Sequence, residues 1–380
     1  MLAAWLTLFT VGTDLFVVSP LLPWIAADLG ITPGEAGFAV TAFGISYMVG
    51  APLLGRLADR NGRNRVLAAC LFGFAAANLL TALAGGFAEL IAARLFAGAM
   101  AAGISPSVYA LIGQAAPPGR RARWLSIAVS GLLTSLVLAT PLGGLAGAYW
   151  CWNAVFAIIA AASLALIGAH SMPWRPAPAR LPQTADGGSF DVAAAAPQLS
   201  LTVLWSTALY GVYTYIGAGL DSLGVSPPRI AATILLYGLG AVLGNLLGGR
   251  LADRFGTART TGLALLGLPL ALLLLRLALA DGAMLALGFA LVSLVAQLFF
   301  PAQQASLAKA FPVRAATVLA LNNSALFLGI SLGSLIGGQA MIFGFATDLT
   351  LCAGIAMLSW PIKWPRLLGR RGTAAQGQTV

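Results

Sequence analysis

Runs of about 20 apolar residues recur along almost the whole chain, separated by short polar segments. Each such run is long enough to cross a hydrocarbon layer of roughly 30 Å as a helix rising 1.5 Å per residue. A soluble fold would have no water-facing surface to make from them. Charged residues are only 8% of the 380, against about 25% in soluble domains, so the outer surface must face lipid. Continuous helices satisfy their own backbone groups in that solvent. The short alternating segments of a membrane barrel are absent from the sequence.

The apolar runs predict spans over 3–25, 36–55, 66–86, 88–112, 123–147 and 152–172. A second set follows over 201–221, 230–249, 258–277, 283–307, 314–339 and 342–362. The expected fold is therefore an all-α polytopic membrane protein with twelve transmembrane helices in two pseudo-symmetric six-helix bundles. The domains are 1–172, a polar, Pro-rich cytoplasmic linker over 173–200, a second bundle over 201–362 and a cytoplasmic tail over 363–380. Asp14 interrupts the first apolar run, which also lacks a basic leader, so this run reads as a helix rather than a signal peptide.

The net charge of +10 does not point to nucleic acid, because the basic residues form no long face. They alternate between loops instead. One set of loops holds Arg56, Arg60, Arg63, Arg65, Arg120, Arg121, Arg123, Arg175, Arg180, Arg250, Arg254, Arg259, Lys309, Arg314, Lys363, Arg366, Arg370 and Arg371, which is 18 of the 21 Lys and Arg residues. The opposite loops hold Arg229 and Arg276, and Arg94 lies within a span. Basic loops stay inside, which places both termini in the cytoplasm.

An internal repeat supports the two halves. Gly55-Arg56-Leu57-Ala58-Asp59-Arg60-Asn61-Gly62 returns as Gly249-Arg250-Leu251-Ala252-Asp253-Arg254-Phe255-Gly256, with seven identities in eight residues at an offset of 194. The same offset carries Gly50 onto Gly244. Parallel halves of this kind place a substrate between them near the midplane. The repeated segment reads as a cytoplasmic gating loop, with Gly55, Asp59, Arg60, Gly62 and Arg63 in one copy and Gly249, Asp253, Arg254 and Gly256 in the other. Asp59 can accept charge-assisted bonds from neighbouring arginines.

Of the charges inside spans, Asp14 and Arg94 stand out. Asp14 sits near the middle of the first, where a carboxylate is costly and rarely faces lipid. Burial disfavours charge and an opposing cation favours it, a tension suited to loading and releasing a proton. Arg94 lies about two turns inside the fourth span and is expected to pair with Asp14 or a polar network, while Glu89 offers a weaker partner five residues away. The remaining candidates for a substrate cavity are Tyr47, Asn78, Tyr109, Tyr210, Tyr213, Tyr237, Gln297, Asn322 and Asn323, all within spans. Asp221, Asp281 and Asp348 fall near outer loops, where water solvates them easily, so the second half is expected to lack a central acid. His170 reads as an interfacial residue, and Cys70, Cys151 and Cys352 as small buried hydrophobes in no metal spacing.

These motifs resemble the major facilitator superfamily. Gly55–Arg65 is similar to its loop between the second and third helices, and Arg94-Leu95-Phe96-Ala97-Gly98 to its fourth-helix motif. Gly131 with Pro141-Leu142-Gly143-Gly144 resembles the fifth-helix motif of its antiporters, with Thr140 where those carry glycine. Thr13-Asp14-Leu15-Phe16 resembles the opening of bacterial drug, sugar or nucleoside efflux members. The resemblance implies proton coupling at Asp14 and Arg94, and a sealing interface at Gly131, Pro141, Gly143 and Gly144. The expected function is proton-coupled efflux of a small organic molecule by a monomer, driven by the proton gradient without a cofactor or metal. A proton-linked importer or facilitator of sugars, nucleosides or other small metabolites is the alternative. An enzyme is not expected, because the P-loop pattern and a Ser-His-acid set are both missing from the sequence. The short loops leave no room for the sensory domains of a non-transporting membrane sensor, and no filter motif of a channel is visible.

Overall fold

The computed structural model describes residues 1–117, 120–171, 192–280 and 282–363. Among them all regular structure is helical, and twelve helices are long and apolar enough to cross a membrane. In chain order these are α1 (Leu2–Leu29), α2 (Pro33–Asn61), α3 (Arg63–Ala82), α4 (Phe87–Ala115), α5 (Arg123–Tyr149) and α6 (Trp152–His170). They continue as α7 (Val192–Thr214), α8 (Pro227–Phe255), α9 (Thr257–Leu277), α10 (Met284–Ala310), α11 (Thr317–Met341) and α12 (Phe345–Lys363).

Local chemistry sets the helix ends. α1 stops at Gly30, whose left-handed backbone returns its N–H to the Ala26 carbonyl. α2 starts two residues later on a capping box, in which Thr32 and Glu35 satisfy each other's backbone amides and Pro33 opens the helix. α2 and α3 are separated by Gly62 alone, with φ 91°. α8 and α9 are separated in the same way by Gly256, also with φ 91°. A side chain would strain that backbone, so the last glycine of each repeat is the one residue that lets two antiparallel helices meet without a loop.

The residues group into two compact units, Met1–Ser189 with Thr214–Leu235, and Phe190–Tyr213 with Leu236–Val380. In the first, the backbone of Gly217, in the short helix Ile216–Ser222, lies against Ser19 and Pro20 of α1, where a Cβ would sit 2.5 Å from the Ser19 carbonyl oxygen.

Three expectations need correction. The polar stretch does not run to residue 200, because α7 already begins at Val192. Its first turns use the alanine-rich stretch Ala193–Ala196, which favours helix whatever its hydropathy. The rest of that stretch, 173–191, and the tail 364–380 lie outside the described residues, with Arg175, Arg180, Arg366, Arg370 and Arg371; so does Asp281. The repeated basic segment is not a loop either. Gly55–Asn61 and Gly249–Phe255 are the last turns of α2 and α8, since leucine, alanine and arginine continue a helix readily beyond its apolar part. Finally, Cys151 is exposed, between α5 and α6, whereas Cys70 and Cys352 are buried as expected.

Candidate functional site

Asp14 and Arg94 meet inside the first unit. The Arg94 guanidinium donates to both carboxylate oxygens, Nη1 to Oδ1 at 2.7 Å and Nη2 to Oδ2 at 3.1 Å. Asp14 is 0% exposed and Arg94 1%. This is a planar, two-pronged ion pair sealed from solvent. Two rings enclose the cation: its central carbon lies 4.9 Å from the Phe43 ring centroid and 5.5 Å from that of Phe156. Such contacts gain strength where water is excluded. Among the described residues Arg94 Nε has no hydrogen-bond partner. The expected pairing of Glu89 with Arg94 is not made. Glu89 lies in the first turn of α4, and its Oε2 accepts from the Gly85 amide at 2.7 Å, capping its own helix end instead.

Small residues bring the surrounding helices close enough to exclude water. One turn after Arg94, a Cβ at Gly98 would lie 2.2 Å from the Phe43 carbonyl oxygen, so α4 touches the α2 backbone there and Phe43 reaches the guanidinium. α5 approaches α1 through the residues of the antiporter-like motif. A Cβ at Gly131 would sit 2.3 Å from the Trp5 carbonyl oxygen, one at Gly143 2.2 Å from Val17 Cγ2, and one at Gly144 2.8 Å from Pro20 Cβ. Between them the helix widens to a π turn over Ser135–Ala139. The ring of Pro141 would otherwise press on the carbonyl four residues earlier, and the wider turn relieves this. Thr140 donates its hydroxyl to the Ser135 carbonyl at 3.1 Å, which gives this threonine a local task that glycine could not perform.

Tyr47 continues from this centre, its ring 6.2 Å from that of Phe43. Tyr109 is partly buried on α4. Asn78 does not join the pair. It is buried on α3 and donates to the Phe74 carbonyl of its own helix at 3.0 Å. His170, the last residue of α6, is buried, with Nε2 2.9 Å from the Thr7 hydroxyl on α1.

The two copies of the repeated segment differ. Asp59 accepts from Arg63 at 3.0 Å, with Asp59 48% and Arg63 30% exposed. The residue 194 positions after Arg63 is Thr257, so Asp253 has no equivalent base, and Arg254 instead lies over the Phe255 ring at 5.2 Å. A Cβ at Gly55 or Gly249 would meet no atom within 4 Å.

In the second unit the phenols of α7 and α8 cluster. The rings of Tyr210 and Tyr213 are 6.0 Å apart, and those of Tyr213 and Tyr237 5.1 Å. Asn322 on α11 accepts from Thr202 at 2.6 Å, and Gln303 on α10 donates to the Gln198 carbonyl at 2.7 Å beside them. Gln303 was not foreseen, although a glutamine pair inside an apolar span was a readable signal. Gln297 ends the first segment of α10 at its break, and Asn323 is partly buried next to Asn322. Asp348 contradicts the expectation of easy solvation. It lies in the first turn of α12 yet is 0% exposed, because the neighbouring helices cover this end of α12.

Twelve helices long and apolar enough to cross a membrane, with a desolvated ion pair inside the first unit, define a polytopic membrane protein. The model of the Major Facilitator Superfamily matches residues 4–220 and again 198–375. The MFS-type transporter YceJ of Bacillus subtilis is 28% identical over 356 residues, covering 90% of each chain. A chloramphenicol resistance protein of Streptomyces lividans is 31% identical over 252 residues, 64% of each. Among solved structures, a bacterial homolog of the lysosomal transporter Spinster superposes with a TM-score of 0.77 at 16% identity, covering 95% of both chains. The nucleoside transporter NupG does so with a TM-score of 0.78 at 14% identity, covering 95% of this chain and 98% of its own. This chain belongs to the Major Facilitator Superfamily and is a transporter of small molecules.

Proposed function

We propose that this transporter exports a small organic molecule in exchange for protons, by alternating access of its two halves. The observation that carries this reading is the buried Asp14–Arg94 pair. A proton arriving on Asp14 removes the charge that holds Arg94. The guanidinium is not left bare, because Phe43 and Phe156 still face it. The pair therefore has a second arrangement within reach, and loading or unloading one proton selects between the two. The close α1–α5 contact at Gly131, Gly143 and Gly144 lets a shift of α1 pass to α5.

The placement of basic residues supports both termini in the cytoplasm of a bacterial inner membrane. The phenol cluster on α7 and α8 supports substrates with a flat or apolar part, and similarity to a relative named for chloramphenicol resistance supports drugs as candidates. One chain supplies both halves, so the monomer is the proposed unit.

Proton release from purified protein, measured while drugs, nucleosides and sugars are screened, tests the reading. Release triggered by a substrate and lost in Asp14→Asn is the expected result. Substrate movement in proteoliposomes that ignores the proton gradient would sink it. Uptake of protons together with substrate would replace export by import on the same fold.

A further inference from the structure

Asp348 is the other fully buried acid among the described residues, and its setting is the reverse of that of Asp14. Asp14 has a bidentate arginine. Asp348 has only a thiol: Cys352 Sγ, one turn later on α12, lies 3.4 Å from Oδ1. Among the described residues no group hydrogen-bonds to Oδ2. Phe345, Leu349 and Cys352 are buried beside it on the same helix, and Phe345 stacks on Phe289 of α10 at 6.2 Å, so the surroundings are dry.

The helices around α12 bring no compensating charge. On α9 the charged residues are Arg259 and Arg276, near its two ends; Arg276 is exposed and forms no ion pair with Asp348. α10 carries Lys309 in its last turn, α11 has no charged residue, and α7 offers only the phenols Tyr210 and Tyr213. The helix start favours an anion only where its amides reach it, and no first-turn amide bonds to either oxygen. An isolated carboxylate in such a place pays a desolvation cost that nothing here returns. Among the described residues no group of three or more His, Cys, Asp or Glu could hold a metal there, so a proton is the ligand the geometry accepts.

We propose that Asp348 is a second proton-binding site of this chain, with Oδ1 accepting from the Cys352 thiol and Oδ2 carrying the proton. The thiol is held there by close packing: a Cβ at Gly211 on α7 would lie 2.6 Å from Cys352 Sγ. The site stands apart from the coupling assigned to Asp14, in the other half of the sequence and in the other compact unit.

Infrared spectroscopy of the purified, full-length protein at neutral pH tests this directly. The wild type is expected to show the C=O stretch of a protonated carboxyl in an apolar setting. Asp348→Asn should lose that band with an unchanged thermal unfolding profile, and Asp14→Asn should keep it. Cys352→Ser and Cys352→Ala leave the acid in place and should move the band in opposite directions, towards stronger and weaker hydrogen bonding. A wild-type spectrum without the band, or a band that neither Asp348→Asn nor the Cys352 variants alter, overturns the proposal. Neither reading depends on transport, so failure of proton-coupled export would leave this test intact.

Discussion

Removing the charge of Asp14 should destabilise the protein, and removing its partner as well should restore it. In Asp14→Asn, Arg94 keeps its charge at 1% exposure with no counter-ion. Breaking a buried pair from one side typically costs about 3–5 kcal/mol. Two features bring the estimate to the lower end. The asparagine oxygen can still accept one bond from the guanidinium, and Phe43 and Phe156 remain against the cation, each such contact being worth about 0.5–2 kcal/mol. We therefore expect a loss of about 3 kcal/mol. Asp14→Asn combined with Arg94→Gln removes both charges and leaves two amides that can bond to each other. That variant should return to within about 1.5 kcal/mol of the wild type, the usual scale of one hydrogen bond. Unfolding of the wild type, Asp14→Asn, Arg94→Gln and the double variant in mixed micelles, followed by circular dichroism of the helices, yields the coupling energy. A single variant that loses less than about 1 kcal/mol, with a double variant no more stable than the single, would show that Arg94 is not held by Asp14. The reasoning about desolvation would then be wrong.

The small residues and the exposed pair give two sharper contrasts. Gly98→Ala forces a Cβ onto the Phe43 carbonyl and the Ser46 hydroxyl and should cost about 1–3 kcal/mol, whereas Gly113→Ala on the same helix meets no atom within 4 Å and should stabilise by up to about 1 kcal/mol; the same unfolding assay ranks them. Asp59→Asn breaks a pair that is largely in solvent and should change stability by less than about 1 kcal/mol while slowing transport in proteoliposomes, so a large stability loss would remove the gating role.

Much of this architecture is written along the chain. Spacing and length of the apolar runs determine twelve helices, because a backbone in lipid has no partner but itself. The repeat at an offset of 194 determines that the two halves share a turn, and Gly62 and Gly256 adopt the same φ there. Asp14 and Arg94 were readable as residues of interest because a charge inside an apolar run is costly and rarely faces lipid. Local stickiness of helix formers blurred the ends: hydropathy ended α2 and α8 too early and started α7 too late, since alanine, leucine and arginine continue a helix beyond its apolar part.

What lies between helices was decided by the tertiary structure. The rings of Phe43 and Phe156 come from α2 and α6, 113 residues apart, and nothing in their sequence neighbourhoods marks them as the walls of an arginine site. Glu89 was a weaker partner for Arg94 by its five-residue spacing, and the amide of Gly85, four residues before it at the start of its own helix, took it. Asp348 is the clearest instance. Its place near a loop reads as solvated, because sequence distance to a loop stands in for exposure. Burial is instead a property of what packs across from a residue, and the neighbours covering α12 come from other stretches of the chain.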